Sequence, residues 1–307
     1  MVTMASLMAV SYVRGKKNRE SKEWKEEEGV ETMTAEYLGF EEYIPSFGAI
    51  VASPQIDVSR GVNYASGGAG IRSETGYRLG ERISLDEQLI NHQFIISRLA
   101  KSKGNETREY LSKCLYTLDI ASNDYINNYF AGEGYFTSLV YTPEEYATAL
   151  ITEYAQQIKT LYNSGARKFA IFALGSLGCT PAEILLYGRS NGSICVDKVN
   201  IAAQLFNDQL EPLVEELNEY FTDAKFVYVD LSGVSLSEAE GFTVTDRSCC
   251  DVGSDGMCIK DVAPCLNRSE YIFYDNFHTT EAVNKLCGAS AYTQVLELLT
   301  FNSLLEL

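Results

Sequence analysis

Three short apolar runs, Leu115–Ile120, Lys168–Leu174 and Lys225–Leu231, narrow the folds open to this chain of 307 residues. Each has the length of a strand and carries its apolar residues nearly consecutively, as strands buried on both faces do. They lie too far apart for hairpins, and helix-period sequence fills the gaps. Thr142-Pro-Glu-Glu145 opens one helix with a cap residue and an early proline, and Gly165 closes it. Leu205, Phe206, Leu210, Leu213, Leu217 and Phe221 mark the apolar stripe of another. Ser84 with Glu87 reads as a capping box ahead of Leu89, Ile90, Phe94, Ile95 and Leu99, which sets His92 on a helix surface. Strand alternating with helix predicts an α/β fold, a three-layer α/β/α sandwich around a mostly parallel, doubly wound sheet. At 46% hydrophobic, the chain has enough apolar residues for a full core. Nothing after Met33 reads as an interdomain linker, so residues 33–307 are expected to form a single domain.

The N-terminal stretch differs. Residues 1–13 are modestly apolar, and Arg14 to Gly29 is a dense run of both charge signs, expected to be a solvated, disordered arm. The apolar part is too short to span a bilayer, and its positive charges follow it, so it does not read as a convincing secretory leader. The formal net charge of −17 argues against a nucleic-acid partner and against an anionic membrane surface.

Chemistry is concentrated in three places. Near the C-terminus the chain reads Tyr271-Ile-Phe-Tyr-Asp-Asn-Phe-His-Thr-Thr-Glu-Ala-Val-Asn284, with Asp275 and His278 three positions apart. A serine hydroxyl needs a neutral imidazole to take its proton and a carboxylate to fix that imidazole's tautomer, and this pair has the required composition. Only one other histidine exists, His92, so the search for a general base is short. Alone, the same spacing also suits a structural Asp–His pair. Gly61-Val-Asn-Tyr-Ala-Ser-Gly-Gly-Ala-Gly-Ile71 is a small-residue loop whose glycines let backbone N–H groups approach a ligand, or simply make a turn. Ala121-Ser-Asn-Asp-Tyr-Ile-Asn-Asn128 follows a strand run, setting Asn123 at a strand's carboxyl end. Its amide can donate to an oxyanion there, or bond its own turn.

Taken in order, these segments resemble the plant GDSL esterase/lipase family of SGNH hydrolases. The resemblance runs from about Met33 to the C-terminus. It also includes Ala35-Glu-Tyr-Leu-Gly-Phe-Glu-Glu-Tyr-Ile-Pro45, Leu174-Gly-Ser-Leu-Gly-Cys-Thr-Pro181 and Cys249-Cys-Asp-Val-Gly253. It implies hydrolysis of carboxylic esters, such as lipid or acyl esters, by a Ser-His-Asp mechanism with no metal or organic cofactor. Asp275 and His278 match the acid and base, Asn123 matches the oxyanion asparagine, and the oxyanion glycine falls in Gly67-Gly68, with Gly68 preferred. Ala121 stands where the family usually has Gly, and Thr279 where it usually has Pro. The family's Gly-Asp-Ser-Leu nucleophile block is absent, since no Asp-Ser pair occurs anywhere. Ser11, in Ser11-Tyr-Val-Arg-Gly-Lys-Lys-Asn18, only faintly echoes it, and the connection to Ala35 is short for the family. The family's first strand lies inside the sheet, so the expectation is a scaffold with that strand missing or replaced and impaired catalysis. The alternative is a non-catalytic module that binds acyl or ester ligands, or a truncated gene product. Unless residues 7–13 fill the gap, two strands are left with unpaired edges and the protein is marginal.

Eight cysteines suggest disulfides formed in an oxidising compartment, with Cys179–Cys195 and bridges within Cys249–Cys265 among the plausible pairings. Cys249, Cys250, Cys258 and Cys265 lack paired zinc-ligand spacing. Sequons at Asn105, Asn191 and Asn267 agree with secretion.

Overall fold

The computed structural model describes residues 7–11, 30–39, 43–59, 61–132, 134–188 and 193–301, with the backbone alone at 7–11 and 31–33. The charged run from Arg14 to Gly29 and the sequon asparagine Asn191 lie outside the described residues.

Among the described residues, five strands form one sheet: β1 (Leu7–Ser11), β2 (Gly61–Asn63), β3 (Leu115–Asp119), β4 (Lys168–Phe172) and β5 (Lys225–Val229), in the order β2-β1-β3-β4-β5. Every neighbouring pair is parallel. Successive side chains of a strand point to opposite faces, and β4 shows the consequence. Phe169 and Ile171 join the core beneath helices Leu85–Lys103, Pro143–Asn163 and Asp197–Tyr220. Ala170 and Phe172 join the core beneath helices Val30–Tyr37 and Glu281–Thr300. The result is the expected α/β/α sandwich. Thr142 caps its helix through a capping box with Glu145, and Ser84 does the same with Glu87. A second parallel pair, β6 (Val244–Ser248) with β7 (Tyr271–Phe273), stands apart from the main sheet.

The first strand is replaced rather than missing. The backbone of β1 pairs with β2 through Leu7–Gly61, Met8–Val62 and Ala9–Asn63. On its other side it pairs with β3 from Leu7–Leu115 to Ser11–Asp119. The gap that would have exposed two strand edges is filled by an apolar segment from the atypical N-terminal stretch.

Disulfides join Cys179–Cys195, Cys249–Cys265 and Cys250–Cys258, and Cys114 and Cys287 are buried thiols. Among the described residues, no helix is long and apolar enough to cross a membrane.

His92 corrects the sequence reading. It is 1% exposed, whereas Ile90 and Phe94 are 68% and 54% exposed. The buried stripe of this helix runs through Leu85, Leu89, His92, Ile95 and Leu99. The imidazole is admitted to the core because the Tyr64 hydroxyl lies 3.0 Å from Nδ1 and the Tyr116 ring meets it edge-on. Burial lowers the His92 pKa from 6.5 to about 4. On acidification the unfolded chain therefore takes up this proton first. The contribution to stability is complete above about pH 6.5 and is lost as the pH falls toward 4. Between pH 7.5 and 5 this group should remove about 2 kcal/mol of stability. In urea unfolding at both pH values, His92→Phe should flatten the acid dependence by about that amount. An unchanged slope would contradict a neutral buried His92.

Candidate active site

In a sheet ordered β2-β1-β3-β4-β5, successive connections run to opposite sides of β1, so the β1/β3 boundary is a topological switch point. Ligands of open α/β sheets bind in the crevice outside the strands' carboxyl ends at such a point. Ser11 is the last residue of β1 and lies in register with Asp119, the last residue of β3. The glycine-rich loop leaves β2 on one side of Ser11, and Asn123 follows β3 on the other. Parallel pairing thus brings Ser11, the Gly67-Gly68 loop and Asn123 to one end of three adjacent strands.

The turn after β3 and the loop after β2 are bonded directly. Asn123 is buried; its Nδ2 donates to the Ala69 carbonyl at 2.9 Å, and its Oδ1 accepts from Asn127 Nδ2 at 2.6 Å. A primary amide has two N–H groups, which leaves the second for an oxyanion. Gly68 has φ +77°, a backbone conformation that favours glycine, and a Cβ there would meet only the movable end of the exposed Leu79 side chain. Sequence reading missed the neighbouring Asp124. This wholly buried carboxylate accepts the Ile71 N–H at 2.8 Å, the Arg72 N–H at 3.1 Å and the Thr75 hydroxyl at 2.6 Å. An Asp beside an Asn in a polar turn resembles any solvated turn, and the one matching feature, Gly70, where a Cβ would collide with this carboxylate, lies on a different loop.

Asp275 and His278 meet as their spacing suggested. Asp275 is buried, and its Oδ2 lies 2.8 Å from His278 Nδ1. Its Oδ1 accepts the backbone N–H groups of Phe277 and His278, each at 2.7 Å. A carboxylate anchored by two amides fixes the ring's plane and keeps the proton on Nδ1. Nε2, on the far side of the ring, is then the atom that accepts a proton. The segment is docked from several sides. Ala182 N–H donates to the Asn276 carbonyl, tying it to helix Pro181–Tyr187, which begins after the carboxyl end of β4. Ser248 Oγ donates to Asn276 Oδ1 at 2.6 Å, and Asn276 N–H to the Gly256 carbonyl. Thr279, at the position of the usual proline, donates its hydroxyl to Asn284 Oδ1 at 2.6 Å. Among the described residues, no group of three His, Cys, Asp or Glu side chains is arranged to hold a metal.

Ala121 carries a structural cost. It has φ +96° and is fully buried two residues before Asn123. A Cβ in this region is strained, and glycine is the residue that relieves it. Ala121→Gly should therefore raise unfolding stability by about 1 kcal/mol, after allowing for the greater freedom of glycine in the unfolded chain. Equilibrium urea unfolding tests this, and a loss of stability would contradict the strained backbone.

The profile of the GDSL-like Lipase/Acylhydrolase family matches residues 11–290, a stretch that opens at Ser11. GDSL esterase/lipase At1g29670 of Arabidopsis thaliana is 42% identical over 268 residues, covering 84% of this chain and 72% of its own length. GDSL esterase/lipase At2g19050 of the same plant is 44% identical over 266 residues, covering 85% and 73%. GDSL esterase/lipase At4g18970, also from Arabidopsis thaliana, is 42% identical over 267 residues, covering 84% and 73%. With its sheet, its Asp275–His278 pair and this breadth of similarity, the chain belongs to the GDSL-like lipase/acylhydrolase family.

Proposed function

We propose that the chain is a serine-type carboxylic ester hydrolase with impaired turnover, in which Ser11 stands as nucleophile. His278 takes the proton of the serine hydroxyl and later returns it to the leaving alcohol. Asp275 holds His278 and stabilises the imidazolium formed during attack. The Asn123 amide and the Gly68 backbone N–H receive the negative charge on the carbonyl oxygen. The observation that carries this reading is the 2.8 Å contact between His278 Nδ1 and a buried carboxylate fixed by two backbone amides. Ser11 is supported by its register at the end of β1 and by the family match that begins there.

Impairment follows from the local sequence. Ala9 and Val10 precede Ser11, where the family has Gly and Asp, so the polar neighbour of the nucleophile is gone. The substrate class is a lipid, an acylated sugar or a cutin-like ester, in keeping with relatives named esterase/lipase. Residues 33–307 act as one hydrolase domain, completed by β1. Three disulfides and the exposed sequon asparagines Asn105 and Asn267 support a secreted glycoprotein. The second reading, a module that binds acyl or ester ligands without turnover, is favoured by the absent Gly-Asp-Ser.

Hydrolysis of a short-chain aryl ester separates the two. Ser11→Ala and His278→Ala should each lower kcat/KM by about 10²- to 10⁴-fold. Rates unaffected by either substitution would reject the assigned roles, and ester binding with no turnover would favour the binding module.

A further inference from the structure

We propose that Asp124 is a positioning residue for the oxyanion site: its carboxylate ties the glycine-bearing loop after β2 to the turn that carries Asn123. This rests on Asn123 and Gly68 being the oxyanion donors.

The loop is gathered from one side by Asp124 and its neighbours. Asp124 binds the N–H groups of Ile71 and Arg72 and the hydroxyl of Thr75. Asn123 takes the Ala69 carbonyl, Asn128 Nδ2 donates to Thr75 Oγ1 at 3.0 Å, and Gly76 N–H donates to the Asn127 carbonyl. The outward carbonyls are held as well, Gly70 by the Leu85 N–H and Ile71 by Gln157 Nε2 at 3.0 Å. Two oxygens of one acidic side chain thus set the path of the residues just after Gly68.

The charge at this point is not that of an ordinary buried ion pair. The three hydrogen-bond partners of the Asp124 carboxylate are neutral. The Arg72 guanidinium is turned to Glu74 at 2.5 Å and Glu153 at 3.7 Å. Tyr146 donates to the Asp124 backbone carbonyl at 3.2 Å. Burial raises the Asp124 carboxyl to about 6, opposed by its hydrogen bonds from Thr75, Arg72 and Ile71, with Glu153 adding a further upward push. An unpaired carboxylate in the core carries a desolvation penalty that an apolar side chain would avoid. What it supplies is an acceptor-only group with enough lone pairs for three donors at once. The Gly70 position, closed to any Cβ by the same carboxylate, shows how tightly the two segments are matched.

Asp124→Asn is the direct test, because it keeps the shape but turns an N–H₂ toward one of the two backbone N–H groups. On a short-chain aryl ester it should lower kcat by about tenfold or more, with KM changed less than about twofold. Added to Asn123→Ala, it should cost far less than it does alone, because both act on one oxyanion site. Amide exchange at Ile71 and Arg72 should quicken. Thr75→Val, which removes one donor and leaves the carboxylate, should shift both readouts the same way by less, and it serves if Asp124→Asn does not fold. A purely structural Asp124 would lower thermal stability, leave the kcat-to-KM split unmoved and add fully to Asn123→Ala. That result, or unchanged exchange at Ile71 and Arg72, would overturn the inference. Failure of the unmodified chain to turn over ester would instead sink the oxyanion reading itself. The exchange measurement tells these failures apart, since it reports the tie without catalysis.

Discussion

The parallel pairing of Leu7–Ser11 between β2 and β3 is the constraint on which the rest depends. An interior strand satisfies the backbone groups of two neighbours, so β2 and β3 share one sheet only if something occupies the space between them. Once β1 fills it, the sheet order creates a switch point at the carboxyl ends of β1 and β3. The glycine loop, the Asn123 turn and Ser11 then come to one end of the sheet as a consequence of strand order.

Local chemistry sharpens what topology brings together. Two buried acidic side chains do different work because their surroundings differ. Asp275 is tied to an imidazole and anchored by two amides of its own turn, so it fixes a ring. Asp124 meets three neutral donors from a distant segment, so it fixes a backbone. Ala121 adds a held, strained residue between β3 and Asn123, and glycine is the residue that geometry prefers there.

Much of this was legible in sequence, for physical reasons. Strands β3, β4 and β5 are doubly buried and read as continuous apolar runs, and Ser84 and Thr142 announced their helices through side-chain capping. Asp275 and His278 were legible because their contact is local in the chain. Legibility failed where the decisive partner was remote. His92 read as a surface residue because the apolar stripe was drawn through Ile90 and Phe94, which the fold leaves exposed, while Tyr64, far away in sequence, makes burial of the imidazole tolerable. Asp124 lay in plain view beside Asn123, but its role depends on Ile71, Arg72 and Thr75 approaching from another loop. Strand β1 was half visible: Leu7 to Val10 is apolar, but the missing Gly-Asp-Ser obscured its place inside the sheet.

Covalent labelling reads out directly whether Ser11, His278 and the sheet's carboxyl end work together. The purified, folded chain would be treated with a fluorophosphonate, then analysed by intact mass and by mapping of the modified peptide, beside a labelled Arabidopsis relative. If Ser11 is the nucleophile and His278 its base, a single adduct forms on Ser11 and is absent in His278→Ala. No adduct under conditions that label the relative, or an adduct on another serine, would contradict these roles.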